Sequence, residues 1–241
     1  MDFSIIIPAF NEKERLPPFM RSLVARMQKI NLKGEIIIVD DGGSNHDYLS
    51  YSELTRVSDI PVRVIRHNRN LGKGAAIKTG FKSAEGAWVG FVDADGATPS
   101  REVIRLIEIA CASDFDGVFG SRILMLGYMI NRKFMRHLFG RIFATITDII
   151  FKIPIYDSQC GCKFFKKNKI VAFLELCVEK RYLFDIELIA AGYAKGLNFI
   201  EVPISWKEMP GSKVHFIKDG IKMIFGLLFI RKRLIRAGIL Q

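Results

Sequence analysis

Two aspartates one residue apart, Asp93 and Asp95, follow directly on the apolar run Val89-Gly90-Phe91-Val92. Such a run reads as a buried strand. Residues i and i+2 of an extended chain face the same side, so the two carboxylates would lie close together. Like charges held that close repel unless something neutralises them. A divalent cation with oxygen ligands does so, and it can bridge onward to phosphate oxygens. A plainer reading stands beside this one: a solvated loop entering a helix, with Thr98 as N-cap and Pro99 as the first helical residue.

Polar groups recur at the ends of other apolar runs. Asn11-Glu12 follow Phe3–Ile7, Asp40-Asp41 follow Glu35–Val39, and Ser121-Arg122 follow Asp116–Gly120. Glu12 can accept hydrogen bonds from a nucleobase or ribose edge, or serve as a first-turn helix acid. Arg122 offers a bidentate fork to phosphate and cannot lose its charge, or it pairs with an acid of the chain itself. Gly72-Lys73-Gly74 resembles part of a phosphate loop. Without the full Gly-x-x-x-x-Gly-Lys-Ser/Thr, its glycines equally let a helix start tight against a sheet, with Lys73 turned towards a diphosphate. Dinucleotide binding is excluded, because no Gly-x-Gly-x-x-Gly follows the first strand.

The elements that must position these groups alternate. Strands are expected at Phe3–Ile7, Glu35–Val39, Val62–Ile65, Trp88–Val92, Asp116–Gly120 and Phe199–Ile204. Helices are expected from after Glu12 to about Ile30, from Asn70 to about Ala84, and over Arg101–Ala112, Tyr182–Lys195 and Lys218–Arg236. Alternation of this kind predicts an α/β fold with a parallel-type sheet, whose ligands bind beyond the carboxyl ends of the strands.

The chain has 241 residues, of which 49% are hydrophobic, enough for one large domain. Its formal net charge of +11 implies an anionic partner: nucleic acid, nucleotide phosphates or acidic lipid. The excess concentrates in Arg132–Arg141, Lys163–Lys169 and Lys213–Arg236. No aromatic-basic reading motif supports nucleic acid. Cys111, Cys160, Cys162 and Cys177 lack zinc-like spacing and demand no disulfide. With no signal peptide at the N-terminus, a reducing cytoplasmic setting is expected. No apolar run reaches the ~18 residues needed to span a bilayer. Leu138–Ile155 and Ile221–Leu240, both interrupted by charges, read as helices lying on a membrane or another chain.

The motifs in order are Ile6-Ile7-Pro8-Ala9-Phe10-Asn11-Glu12, Val39-Asp40-Asp41-Gly42, Asn70-Leu71-Gly72-Lys73-Gly74, Asp93-Ala94-Asp95-Gly96-Ala97-Thr98 and Gly120-Ser121-Arg122. Asp157-Ser158-Gln159-Cys160-Gly161-Cys162-Lys163, Phe184-Asp185-Ile186-Glu187, Glu201-Val202-Pro203-Ile204-Ser205-Trp206 and Gly211-Ser212-Lys213 follow. Together they resemble glycosyltransferase family 2, and within it the polyprenyl-phosphate (dolichyl-phosphate) glucosyl- and mannosyltransferases. The Asp-Ala-Asp-Gly-Ala-Thr and Asp-Ser-Gln-Cys-Gly forms are more similar to the glucosyl branch.

The resemblance implies the GT-A fold, a Rossmann-like, mostly parallel sheet flanked by helices. It implies inverting transfer of a hexose from a nucleotide-sugar such as UDP-glucose to a polyprenyl phosphate, dependent on Mg²⁺ or Mn²⁺. Pro8, Phe10, Glu12, Val39 and Asp41 would hold the nucleoside. Asp93 and Asp95, with Ala94 between them, would handle metal and diphosphate. Arg122, Arg132 and Arg136 would meet phosphate, and Asp157, Gln159 and Lys163 would form the acceptor wall. Read from the residues, Asp157 is a base or an orienting group, and Lys213 after the Pro-Gly turn is either a basic residue that closes over the diphosphate or a solvated loop lysine. Residues 1–217 would form the catalytic domain, with a nucleotide-sugar half at 1–123 and an acceptor half at 124–217. Residues 218–241 would be a helix on an anionic membrane surface, at the cytoplasmic side. Departures are Phe10 in place of a common Tyr, Cys162 in place of an aromatic, and one extra residue in Gly42-Gly43-Ser44-Asn45. The N-terminal membrane anchor of some relatives is not expected here. A soluble or polysaccharide acceptor is the alternative, although the Gln-x-x-Arg-Trp motif of processive synthases is absent. A non-enzymatic basic nucleic-acid module is the remaining one.

Overall fold

The computed structural model describes residues 1–56, 59–123, 128–131, 134–209 and 216–240. Seven strands form one sheet: β1 (Phe3–Ala9), β2 (Gly34–Asp40), β3 (Val62–Arg66), β4 (Trp88–Val92), β5 (Gly117–Ser121), β7 (Cys162–Lys166) and β8 (Phe199–Pro203). A small parallel pair, β6 (Ile130–Asn131) and β9 (Trp206–Lys207), lies apart from it. The helices are α1 (Leu16–Met27), α2 (Asn45–Glu53), α3 (Lys73–Ser83), α4 (Ser100–Ala112), α5 (Phe134–Phe151), α6 (Lys167–Leu174), α7 (Phe184–Ala194) and α8 (Phe216–Arg236).

The sheet order is β3-β2-β1-β4-β7-β5-β8. β1, β2, β3 and β4 run parallel, as do β5 and β8. β7 runs antiparallel to both of its neighbours, β4 and β5. The chain leaves β1 for β2 on one side and later returns to place β4 on the other. This reversal makes the crevice beyond β1 and β4 the switch point where an α/β sheet takes its ligands.

Alternation along the strands divides the core into two layers. Phe3, Ile5, Ile7, Ile36, Ile38, Val92, Cys162 and Phe164 pack with α1 and α4 on one face. Ile6, Ile37, Val39, Val89, Phe91 and Phe165 pack with α3, α6, α7 and α8 on the other. α4 starts at Ser100 with Pro99 in the N-cap position, one residue later than the Thr98/Pro99 reading expected. Strand β7 and helices α2 and α6 lie in segments for which no element was expected. Cys162–Lys166 alternates between the two core layers, but as only five residues inside a glycine- and cysteine-rich motif it reads as a signature before it reads as a strand.

α8 is seated through Leu227, Ile230 and Leu234, which are buried, while Phe225, Leu228 and Phe229 are exposed beside exposed Lys222, Arg231 and Lys232. Among the described residues no helix is long and apolar enough to cross a membrane.

Candidate active site

Asp93 leaves the end of β4, with its N–H donated to the Gly161 carbonyl at 2.9 Å. A Cβ on Gly161 would overlap the Asp93 carboxylate, so only glycine lets the loop before β7 pass that close. Asp93 Oδ1 lies 2.5 Å from Lys73 Nζ at the first turn of α3. Burial works against the Lys73 charge, but Asp93, Asp185 and Asp95 outweigh it and lift its pKa above the ordinary lysine value. Asp95 accepts the Ala97 N–H at 2.9 Å. Burial, reinforced by the charge of Asp93, pushes its carboxyl above the usual range.

Glu12 comes to the same edge from the end of β1. Arg15 grips its carboxylate with two hydrogen bonds of 2.6 Å. Burial opposes the Arg15 charge, yet Glu12, Asp95 and Asp93 together raise its pKa. Among the described residues no cluster of three or more carboxylate, histidine or cysteine side chains is arranged to hold a metal ion. The near-neighbour pair Asp93 and Asp95 offers hard oxygen donors of the kind that suit Mg²⁺ or Mn²⁺.

The Asp41 carboxylate is engaged by the protein itself. Its Oδ1 lies 2.8 Å from His67 Nδ1 and accepts the Leu71 N–H at 2.9 Å, while Oδ2 accepts the Gly72 N–H at 2.7 Å. His67 Nε2 in turn lies 2.9 Å from Thr79 Oγ1. Asp41 is thus the clasp that sets the turn carrying Lys73. Gly72 adopts φ +106°, a left-handed conformation open to glycine. Val39 is wholly buried against Ala76 and Ile77 of α3, so its side chain supports the site from beneath and does not line it. Ala94 is buried on the α1/α4 side, while Pro8 and Phe10 are half-buried at the end of β1.

On the other flank, Arg122 and Asp157 form a two-pronged pair, with Nε to Oδ2 at 2.6 Å and a terminal nitrogen to Oδ1 at 2.7 Å. The Arg122 backbone N–H adds a third bond to Asp157 at 2.9 Å, and the guanidinium lies 5.4 Å from the Trp206 ring centre. Burial opposes both charges, but each partner outweighs it for the other: the Arg122 pKa rises and the Asp157 carboxyl falls to about 2. Such a carboxylate is a poor proton acceptor at neutral pH. Glu201 steadies the turn by accepting the Tyr156 and Asp157 N–H groups at 2.5 and 2.7 Å. Arg122, Arg141, Tyr156, Asp157, Ser158 and Gln159 line a recess here, and the Gln159 amide donates to the Tyr182 carbonyl at 3.3 Å.

Lys163, expected on the acceptor wall, lies inside it, with no exposed surface. Its position on β7 points it into the sheet's interior, where its ammonium donates to the Cys160 carbonyl and to Asp185 Oδ2, the latter at 3.0 Å. Cys160 and Cys162 are buried packing residues, and burial pushes the Cys160 thiol to about 11. Arg132 and Lys213 lie outside the described residues, as does the side chain of Arg136. The structure thus brings Glu12, Lys73, Asp93 and Asp95 to one edge, with Arg122–Asp157 alongside, buries the side chains of Val39 and Lys163, and bonds the Asp41 carboxylate to the turn before α3.

Residues 4–172 match the family described as Glycosyl transferase family 2. The chain belongs to this family. Of curated relatives, the dolichyl-phosphate beta-glucosyltransferase of Saccharomyces cerevisiae is 30% identical, covering 95% of this chain and 73% of that protein. Its human namesake is 30% identical over 95% and 75%. A Trichomonas vaginalis dolichyl-phosphate beta-glucosyltransferase is 33% identical over 94% and 72%. In fold, the chain is similar to glucosyl-3-phosphoglycerate synthase of Mycobacterium tuberculosis, solved with Mn²⁺ and uridine diphosphate. That match has a TM-score of 0.69 at 14% identity, over 95% of this chain and 79% of that one. Mannosyl-3-phosphoglycerate synthase of Rubrobacter xylanophilus matches with a TM-score of 0.71 at 13% identity, over 100% and 76%.

Several residues of this family 2 site were not singled out by sequence reasoning. Arg15 stands three residues after Glu12, across the turn that leads into α1. Gly161 carries a usable signal, a glycine between two cysteines where a strand must begin. Glu201 opens a motif of the resemblance, but its bonds to the Tyr156 and Asp157 N–H groups, like those of His67 to Asp41 and Thr79, are set by partners distant in sequence.

Proposed function

We propose that this glycosyltransferase moves a hexose, glucose by preference, from a nucleoside-diphosphate sugar to a polyprenyl phosphate. The observation that supports it best is the Asp93/Asp95 pair at the switch point of a chain that aligns with dolichyl-phosphate beta-glucosyltransferases over almost its whole length. Asp93 and Asp95 would hold Mg²⁺ or Mn²⁺, with Glu12 beyond Arg15 contributing to the negative field. A bound metal would neutralise charge on the departing diphosphate. Lys73, at the N-terminal turn of α3, is placed for the same task through its ammonium and the helix dipole. Gly161 keeps Asp93 in position, and Asp41 and His67 keep the Lys73 turn in position.

An oxygen of the lipid phosphate would form the new bond to the anomeric carbon as the bond to the nucleoside diphosphate breaks, with inversion at that carbon. A phosphate oxygen is already anionic at neutral pH, so no strong base is needed. The low pKa of Asp157 agrees with an orienting role, holding Arg122 as a fixed cationic wall of the recess. Arg141 lines the same recess as Arg122 and would meet the same anion. The exposed apolar and basic face of α8 would rest on an anionic leaflet, so the lipid would enter from the side.

The test is transfer of label from UDP-glucose to undecaprenyl phosphate in detergent, with Mn²⁺ or with EDTA. Metal-dependent, butanol-extractable label is the expected result. Label appearing on a soluble acceptor alone would replace the lipid reading with the alternative.

A further inference from the structure

Asp93 has one oxygen to offer a ligand, and a lysine already sits on it. Its Oδ2 faces Gly161, where a Cβ would stand only 1.8 Å away, so backbone closes that side. Its Oδ1 lies 2.5 Å from Lys73 Nζ. The pair is not sealed. The Lys73 side chain is 27% exposed and that of Asp93 40%, so an ion or a phosphate can reach either partner.

The backbone that carries Lys73 is pinned on both sides. The two Asp41 oxygens accept the Leu71 and Gly72 N–H groups. The Lys180 carbonyl accepts the Ala75 N–H at 3.0 Å, and a Cβ on Gly74 would stand 2.4 Å from Phe184 Cβ. Lys73 therefore has a fixed root and a flexible four-carbon stem that carries a point charge. Arg15 and Lys163 lack that freedom. Glu12 grips Arg15 through two bonds, and buried Lys163 is held by Asp185 and the Cys160 carbonyl.

We propose that Lys73 is an exchangeable counter-ion: it neutralises Asp93 in the free protein, yields Oδ1 to the divalent metal, and passes to the diphosphate of the donor. This role presupposes the metal-dependent, nucleoside-diphosphate reading above and adds an order of events to it. While Lys73 sits on Oδ1, its charge competes with a metal for that oxygen and is spent before any diphosphate arrives. A divalent ion and the two negative charges of a nucleotide-sugar diphosphate leave the local charge sum unchanged. Metal and diphosphate therefore enter as a pair, each favouring the other through Lys73.

Mn²⁺ binding is followed by loss of the free-ion signal in electron paramagnetic resonance, and UDP binding by calorimetry. Lys73→Met should bind Mn²⁺ alone about tenfold more tightly, because a competing positive charge is gone. It should bind UDP about tenfold more weakly with Mn²⁺ present, yet within about twofold of wild type without metal, since Lys73 then stays on Asp93. Lys73→Arg keeps the charge and should keep the wild-type affinity for Mn²⁺ alone. In the wild-type protein, Mn²⁺ alone should speed reductive methylation of the Lys73 amine, read by peptide mass, and added UDP should slow it again. Weaker Mn²⁺ binding by Lys73→Met would make Lys73 a static support of Asp93. Equal loss of UDP affinity with and without Mn²⁺ would make it a permanent diphosphate contact. Either result overturns the exchange and leaves the metal site standing. Wild-type protein that binds neither Mn²⁺ nor Mg²⁺ in the presence of UDP would overturn the metal reading itself, and the exchange with it.

Discussion

The two flanks of the site use the same side-chain types to opposite ends. On the flank of β1 and β4, Lys73 pairs with Asp93 and Arg15 with Glu12, which leaves Asp95 without a cation of its own among the described residues, and burial with the charge of Asp93 lifts the Asp95 pKa. On the flank of β5 and β7, each charge has its own counter-charge: Arg122 with Asp157, and Lys163 with Asp185. An unbalanced carboxylate cluster stores repulsion that a cation relieves, so it is a binding device. A closed pair has spent its electrostatics on the protein and acts as a wall. Charge count does not separate the two. The supply of protein partners does.

That contrast is most exposed to Asp95→Asn. Transfer should fall by about 10³-fold, because an interaction made with developing charge is lost. The melting temperature should stay within about 2 °C, because no protein ion pair breaks. A large drop in melting temperature, read by calorimetry on the same sample, would show that Asp95 belongs to the scaffold.

Lys163→Met should do the reverse. It leaves Asp185 buried without its cation, at a cost of about 3 kcal/mol in denaturant unfolding. Residual folded protein should still bind UDP-glucose. Unchanged stability with lost binding would place Lys163 in the donor site after all.

Gly161→Ala sharpens the comparison where the flanks touch. The added methyl must displace the Asp93 carboxylate, and a shift of that kind costs about 10²-fold in rate. Mn²⁺ titration of activity should show weakened metal affinity. A wild-type titration would mean that the loop yields instead of Asp93.

The smallest effect concerns acid. The Asp157 pKa in the folded protein is about 2, below the usual carboxylate value of about 3.9. Its contribution is therefore present above about pH 4 and is lost as pH falls through about 2, an effect of about 2 kcal/mol. Asp157→Asn should be less stable at neutral pH and should lose that much less on acidification. Parallel stability curves for both proteins would show that the pair is not the source.

Much of the fold is legible in the chain. The strands β1, β2, β4 and β5 are apolar runs of five or more residues ending in polar motifs, and local periodicity suffices to find them. β7 is not legible in that way, because its antiparallel place between β4 and β5 depends on neighbours far along the chain. The same limit applies to the site. Asp93 and Asp95 can be read as a pair because they are covalent near-neighbours. Asp41 reads as a ligand contact from its motif, and its bonds from both oxygens to the loop 30 residues later are visible only in the fold.

The sequence alone determines which residues stand at strand ends and which alternate into the core, because covalent spacing and backbone period set both. It determines the family, the crowding of Asp93 with Asp95, and the amphipathic character of α8. Only the tertiary structure decides which charges are satisfied by the protein. Arg122 and Asp157 are 35 residues apart, Lys163 and Asp185 are 22, and Glu187 and Arg233 are 46. A pairing across such a separation is fixed by strand order and helix packing, and those are properties of the whole fold, beyond the reach of any local stretch of chain.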